Sequence, residues 1–437
     1  SSAGDVNGDG YDDMLIGAFA ADPNGSYSGE SYVVFGKASG WGASLELSSL
    51  DGINGLVLNG IDAGDYSGFS VSSAGDVNGD GYDDVIIGAY RADPNGGGSG
   101  ESYVVFGSDD WSATSGIVEL SELINPAPCT SNACPIDVSI TLDANAIETS
   151  WKIRDADGKI VMADSYDTGD NSTTESRSYA FPRGAHEYDI TLSDTGEDGF
   201  VSSGGFEVIN SSFIAKPFDE PFPNCVKNFT TNTSCGTNNG GTTEMTCSGH
   251  CDPITGITIN GIDVSDSSGR SVSSAGDVNG DGYDDVIIGA YGADPNGSYS
   301  GESYVVFGKA SGWGASLELS SLDGSNGFVL NGIDIQDSSG FSLSSAGDIN
   351  GDGYDDVSIG AYGADPNASS SGESYVVFGK ASGWGASVEL SSLDGTNGLV
   401  LNGIEGNSGR SISSAGDVNG DGYDDMLIGA FAADPNG

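Results

Sequence analysis

Basic residues are scarce in this chain. Thirteen Lys and Arg face 65 Asp and Glu over 437 residues, a formal net charge of −52. Such a balance argues against nucleic acid and against an anionic membrane, since both need a basic face. Histidine is scarcer still, with only His186 and His250. The chain has no Gly-x-Ser-x-Gly elbow, no Walker loop and no His-Glu-x-x-His pair, so the usual nucleophilic, phosphoryl-transfer and zinc-hydrolase chemistries lack their carriers. Carboxylate pairs abound, but a glycosidase needs one pair unlike the rest. None stands apart here, and no enzyme is expected. No apolar run approaches the ~18 residues of a transmembrane helix. No signal peptide opens the chain, which begins mid-pattern and reads as a mature piece or a fragment. No stretch shows a convincing 3.6-residue period, so helices are not expected.

Glycine, by contrast, is plentiful at 71 residues, without the every-third spacing of collagen. Hydrophobic residues still make up 37%, enough for a core. Self-similarity dominates the order of residues. The string Ser-Ser-Ala-Gly-Asp-Val-Asn-Gly-Asp-Gly-Tyr-Asp-Asp begins at Ser1, and close copies begin at Ser72, Ser273, Ser344 and Ser413. The steps are 71, 201, 71 and 69 residues, so a repeat of about 70 residues carries one insertion. Leu45–Leu50 leads through a four-residue turn into Gly55–Gly60, whereas Val118–Leu123 resumes only at Gly256–Gly261. Residues 124–255 therefore replace a turn, a place where a chain accepts whole domains. This divides the chain into repeats at 1–123, an inserted module at 124–255, the rest of the second repeat with two more at 256–412, and a fresh start at 413–437. Residues 413–437 are identical to 1–25. A super-period of 412 residues, four repeats plus one insertion, accounts for that return and implies one period of a longer periodic polypeptide.

Each repeat holds four short apolar stretches split by Gly, Ser, Asn and Asp. In the second they are Phe69–Ser73, Val85–Ala89, Ser102–Phe106 and Ile257–Asn260. Their length and their Val, Ile, Tyr and Phe content predict strands, and runs such as Val104–Phe106 predict cover on both faces. Four strands per repeat is the unit of a propeller blade or a stacked β array. One such blade cannot cover its own apolar faces, so neighbours must stack.

The loop Asp5-Val-Asn-Gly-Asp-Gly-Tyr-Asp-Asp13 sets oxygen side chains at positions 1, 3, 5 and 9, with Gly10 for the bend and the Tyr11 carbonyl at position 7. Hard oxygens in this alternation suit Ca²⁺ better than Mg²⁺. The candidate ligands are Asp5, Asn7, Asp9, Tyr11 and Asp13. Their counterparts are Asp76, Asn78, Asp80, Tyr82 and Asp84; Asp277, Asn279, Asp281, Tyr283 and Asp285; Asp348, Asn350, Asp352, Tyr354 and Asp356; and Asp417, Asn419, Asp421, Tyr423 and Asp425. It is not an EF-hand, because position 12 is an isoleucine inside a strand in every copy.

The Asp-x-Asn-x-Asp-Gly-x-x-Asp loop, the apolar-Gly-Ala that follows and the Tyr-Val-Val-Phe-Gly run resemble FG-GAP repeats, the blades of the integrin α-chain propeller. The resemblance spans the chain outside the insertion. It implies Ca²⁺ on the residues named above and an extracellular adhesive or scaffolding role. Two features depart from it. The Pro of Gly-Ala-Pro is Phe19, Tyr90, Tyr291, Tyr362 or Phe431, and the family's usual seven blades do not match four per super-period. An open stack or a smaller ring fits that arithmetic better than a seven-bladed ring.

All six cysteines, Cys129, Cys134, Cys225, Cys235, Cys247 and Cys251, fall in the insertion. An even count in one module suggests disulfides and an oxidising compartment. Fifteen pairings are open, with Cys129–Cys134 and pairing among the last four favoured because they clamp the module's ends. Strands are expected at Val138–Leu142, Ser150–Arg154, Lys159–Ala163, Ser176–Phe181 and Glu187–Leu192, and the module resembles a small β-sandwich of secreted multidomain proteins. Asn-x-Ser/Thr sequons at Asn24, Asn171, Asn210, Asn228, Asn232, Asn296 and Asn367 are candidate glycosylation sites. The fold expectation is all-β: tandem four-stranded blades in a periodic, open array with one inserted β-sandwich. The functional expectation is an extracellular, Ca²⁺-stabilised fibre or adhesion filament whose partners are copies of itself. A closed adhesion propeller that binds an extracellular protein or glycan is the alternative.

Overall fold

The computed structural model describes residues 1–109, 111, 116–124 and 256–434, with the backbone of seven strands between residues 133 and 246. The chain divides into two compact units, Ser1–Pro126 with Ile254–Gly437, and Ala127–Pro253.

In the first unit the expected four-strand motif recurs. Blade one is β1 (Ser2–Gly4), β2 (Asp13–Ala18), β3 (Glu30–Val34) and β4 (Gly55–Asn59). Blade two is β5 (Ser70–Gly75), β6 (Asp84–Ala89), β7 (Glu101–Val105) and, past the insertion, β16 (Gly256–Asn260). Blade three is β17 (Ser271–Gly276), β18 (Asp285–Ala290), β19 (Glu302–Val306) and β21 (Gly327–Asn331). Blade four is β22 (Ser342–Gly347), β23 (Asp356–Ala361), β24 (Glu373–Val377) and β26 (Gly398–Asn402). Blade five is represented by β27 (Ser408–Gly416) and β28 (Asp425–Ala430). Within each blade neighbouring strands are antiparallel. The register of the first hairpin shifts at its end, between Ser73 and Gly75 in blade two, where Gly75 takes φ +72°. Such a glycine bulge bends the strand and aims the acidic loop that follows.

The blades are stacked through their first strands, β1 on β5, β5 on β17, β17 on β22 and β22 on β27. The apolar core lies between blades, as the continuous Val/Ile runs require. Leu15 and Val33 of blade one pack with Ile87, Tyr103 and Val105 of blade two, and the pattern recurs at the next two junctions. In β6, β18 and β23, each flanked by blades on both sides, all six residues are buried.

One feature is absent from the sequence reading. A short strand of each following repeat pairs in parallel with the outer strand of the preceding blade: β8 (Ile117–Glu119) on β4, β20 (Ser316–Glu318) on β16, and β25 (Ser387–Glu389) on β21. The added strand covers an edge that would otherwise offer unpaired backbone groups. Its glutamate fastens the clasp. Glu119 accepts hydrogen bonds from Asn59 Nδ2 at 2.7 Å and Asn24 Nδ2 at 2.8 Å, and Glu318 and Glu389 do the same one and two repeats on.

The second unit contains two antiparallel sheets. One is ordered β11 (Ile160–Ser165), β10 (Thr149–Asp155), β13 (Tyr188–Asp194) and β14 (Ser212–Ala215); the other is β12 (Thr174–Pro182), β9 (Ala133–Thr141) and β15 (Thr243–Thr246). Five of these strands overlap those expected. β15, Thr-Glu-Met-Thr, has a single apolar residue, and its extended form comes from pairing with β9 rather than from local pattern. Among the described residues no helix is long and apolar enough to cross a membrane.

Candidate metal centre

The acidic loops lie between the first and second strands of each blade, and their internal hydrogen bonds recur almost atom for atom. In blade one the Asp9 N–H donates to both Asp5 Oδ1 and Asn7 Oδ1 at 3.0 Å. Gly10 N–H donates to Asp5 Oδ2 at 2.9 Å, and Tyr11 N–H to Asp9 Oδ1 at 3.0 Å. Blades two and three repeat the pattern around Asp76, Asn78 and Asp80, and around Asp277, Asn279 and Asp281. In blades four and five Asp348 and Asp417 hold the same two backbone amides. Positions 1 and 3 thus bring two side-chain oxygens to one N–H, which puts them within reach of a shared cation.

Position 9 is placed differently. Asp13 is buried, and its carboxylate braces the backbone: Oδ2 accepts from Val6 N–H at 3.0 Å and Oδ1 from Gly36 N–H at 2.7 Å. Asp84, Asp285 and Asp356 make the equivalent pairs. Each oxygen retains a second lone pair. Burial, then the charges of Asp9 and Asp5, pushes Asp13 up to about 6. Burial likewise raises Asp356 to about 7 and Asp285 to about 8, with the neighbouring loop carboxylates adding to it, and it drives Asp84 well above the ordinary carboxylate range.

The donor set fits a hard cation in chemistry, with carboxylates and an amide oxygen gathered in a strongly acidic loop. One atom supports this directly. Asn350 Oδ1 is shielded from solvent and has no hydrogen-bond partner, a state that normally calls for a ligand or water. Among the described residues no three acidic, His or Cys side chains are gathered closely enough to hold a metal by themselves. A cation here would therefore need the asparagine and backbone oxygens of the loop as well.

The sequence reading missed how the loops touch one another. From blade two onward, position 8 of the loop reaches the loop of the preceding blade. Asp83 Oδ2 accepts from Asp5 N–H at 2.7 Å, and Asp83 N–H donates to the Asp5 carbonyl at 3.2 Å. Asp284 and Asp76 make the same reciprocal pair, as do Asp355 and Asp277, and Asp424 accepts from Asp348 N–H. Position 7 adds contact: a Cβ on Gly8 would stand 2.4 Å from the Tyr82 ring, and Tyr283, Tyr354 and Tyr423 cover Gly79, Gly280 and Gly351 in turn. The signal was an Asp-Asp doublet in every copy, of which ligand spacing needs only the second member. Asp284→Ala is expected to destabilise the chain by about 1–2 kcal/mol and to weaken calcium at the Asp76 loop. Asp284→Asn, which keeps an acceptor, should do neither to that extent. Calorimetric calcium titration of both variants checks this.

A second periodic acid set lies away from these loops. Asp65, Asp266 and Asp337 are buried and accept from the N–H of Asp62, Asp263 and Asp334. Burial, with nearby carboxylates, lifts them to about 6, 7 and 6 from an ordinary 3.8. Between pH 4 and 7 the unfolded chain releases protons that the folded chain keeps, so folding stability falls as pH rises through this window. In EDTA the thermal midpoint is expected to decline from pH 4 to pH 7, and Asp266→Asn should flatten that slope; midpoints measured across the range check it.

The sequon asparagines of the repeats have a structural task. Asn24 Nδ2 donates to the Gly60 carbonyl and to Glu119, and Asn296 Nδ2 to the Gly332 carbonyl and Glu389. Asn367 Nδ2 donates to the Gly403 carbonyl. Asn95, which is followed by Gly-Gly and is no sequon, makes the same bonds, so this contact accounts for the period. Asn171, Asn210, Asn228 and Asn232 lie outside the described residues, as do the side chains of all six cysteines.

Comparison with known proteins agrees with this geometry. The FG-GAP repeat model matches residues 1–34, 67–105, 268–306, 339–377 and 408–437. Integrin alpha-V of Gallus gallus is 31% identical over 172 residues, covering 38% of this chain and 15% of the integrin. Integrin alpha-5 of Xenopus laevis is 29% identical over 178 residues, with the same two shares. Integrin alpha pat-2 of Caenorhabditis elegans is 38% identical over 94 residues, covering 22% of this chain and 7% of the integrin. The chain thus spans a small part of the length of these relatives. With five matched repeats, each built on the loop described above, this chain carries FG-GAP repeats similar to those of integrin α-chains.

Proposed function

We propose that the chain is a segment of an extracellular structural array in which Ca²⁺ bound at each acidic loop clamps one blade to the next. Asp5, Asn7 and Asp9, the Tyr11 carbonyl and Asp13 would hold the ion, as would their counterparts in each copy. The ion supplies positive charge where clustered carboxylates would otherwise repel. The observation that carries the reading is the loop-to-loop pairing of Asp83 with Asp5, repeated at the next two junctions. A loop stiffened by an ion fixes the strand that leaves it and the loop of the blade before it. The return of the sequence after 412 residues supports continuation into further copies of the same unit. The reading assigns no catalytic role. The six cysteines of the module 124–255 imply an oxidising compartment, which agrees with an extracellular place.

Similarity to integrin α-chains favours a second reading, a closed adhesion propeller that recognises a protein or glycan. Electron microscopy and light scattering of the native polypeptide, with Ca²⁺ and with EDTA, separate the two. Filaments that lose order on chelation support the array. Monodisperse globular particles in Ca²⁺ support the propeller, and filaments indifferent to EDTA contradict the calcium clamp.

A further inference from the structure

Outside the insertion the chain has six basic side chains, and each lies over an aromatic ring. Three are lysines stacked locally: Lys37, Lys309 and Lys380 lie 4.7, 4.6 and 4.4 Å from the ring centres of Trp41, Trp313 and Trp384. Two of the arginines follow another rule. The residue that follows the Ser-Gly pair at the start of a blade is Phe69 in blade two, Arg270 in three, Phe341 in four and, inside β27, Arg410 in five. Phe and Arg alternate.

In space the alternation is an interleaved stack. The Arg270 guanidinium lies 4.2 Å from the centre of Phe69, in the blade before it, and 4.6 Å from Phe341, in the blade after it. Arg410 lies 5.0 Å from Phe341 and 5.1 Å from Phe431. A second aromatic position fills in around them, with Tyr90 packed edge-on to Phe69 at 4.8 Å and Tyr362 edge-on to Phe341 at 4.6 Å. Arg270 is half-buried, so its charge depends on those ring faces for compensation.

We propose that this position selects neighbours: a blade that carries Arg seats stably only between blades that carry Phe, and the array therefore grows in pairs of repeats. Two adjacent arginines would set two guanidinium groups against each other where one now meets a ring, and like charges at such separations repel. Two adjacent phenylalanines lose the cation but keep aromatic contact, so the rule is stricter against Arg–Arg than against Phe–Phe. A closed ring with an odd number of such blades must contain one mismatched junction, whereas an even ring or an open array contains none. Four repeats per super-period obey the rule. The neighbour rule within one chain requires neither bound Ca²⁺ nor fibre formation; growth of the array in pairs rests on the function proposed above.

Thermal unfolding of the full chain at low salt and fixed calcium tests it. Phe341→Arg places three arginines in succession and is expected to lower the midpoint by about 5 °C or more. Arg270→Phe should lower it less. The fourfold exchange Phe69→Arg/Arg270→Phe/Phe341→Arg/Arg410→Phe contains both changes yet restores alternation in the opposite phase, and its midpoint should return to within about 2 °C of the parent. A fourfold variant that melts at or below Phe341→Arg overturns the proposal. A cycle of the milder Arg270→Leu and Phe341→Leu reads the same contact should an arginine variant fail to fold. Non-additive midpoints in that cycle support the proposal, and additive ones overturn it.

Discussion

Removal of divalent cations is expected to lower the thermal midpoint of the repeats by some tens of degrees. The chain carries a net charge of −52, and each loop gathers carboxylates at positions 1, 5, 8 and 9 within nine residues. Several of these are already pushed toward protonation by burial and by one another. A ligand present at 100 times its dissociation constant stabilises the folded state by about 2.7 kcal/mol per site. Occupation of the five loops therefore supplies on the order of 10 kcal/mol. For a domain of this size each kcal/mol moves the midpoint by about 2–4 °C. Scanning calorimetry with EDTA, then with Ca²⁺ or Mg²⁺ restored, measures the effect. Recovery should be full with Ca²⁺ and partial with Mg²⁺, which sheds water reluctantly and demands octahedral geometry. Sodium chloride at matched ionic strength screens the carboxylates without bridging them and should recover little.

The second large effect concerns backbone packed on backbone. A Cβ on Gly289 in β18 would stand 2.1 Å from the Gly340 carbonyl oxygen of the next blade and 2.4 Å from Ser271 Oγ. Gly17, Gly88 and Gly360 meet Gly68, Gly269 and Gly409 in the same way. Gly289→Ala must separate two blades whose apolar faces are buried against each other, an overpacking expected to destabilise by about 3 kcal/mol. Gly282→Ala is the matched contrast. It sits at φ +90° with nothing within 4 Å of the added carbon, so it carries only the left-handed strain of about 1–2 kcal/mol. Urea denaturation of the two variants should rank them in that order. A Gly282→Ala variant less stable than Gly289→Ala would mean that loop conformation, not blade spacing, limits stability.

The repeat, its four strands and the loop spacing were legible because each is written in local order: short stretches rich in Val, Ile, Tyr and Phe, turn residues between them, and acids at alternate positions. The contacts between repeats were not. Nothing in Ile117–Glu119 says that it will pair with the previous blade rather than its own, since that choice depends on which edge is left open. The second Asp of each doublet was read as the ligand and the first was passed over, although Asp83 and Asp284 tie one loop to the next. The glycine excess was visible, but its reason was not. Gly289 is required by a carbonyl 51 residues away, a distance that no local pattern encodes. Periodic asparagines suggested glycans, whereas Asn95 makes the same bonds without a sequon and points to the clasp on Glu318.

Crystals grown in calcium chloride and measured for anomalous scattering would test the clamp most directly. Five peaks per chain are expected, one in each acidic loop, enclosed in blade three by Asp277, Asn279, Asp281, Asp285 and the carbonyl of Tyr283. Loops that hold only water, in blades stacked as they are here, would show that the carboxylates need no metal and that the clamp does not exist.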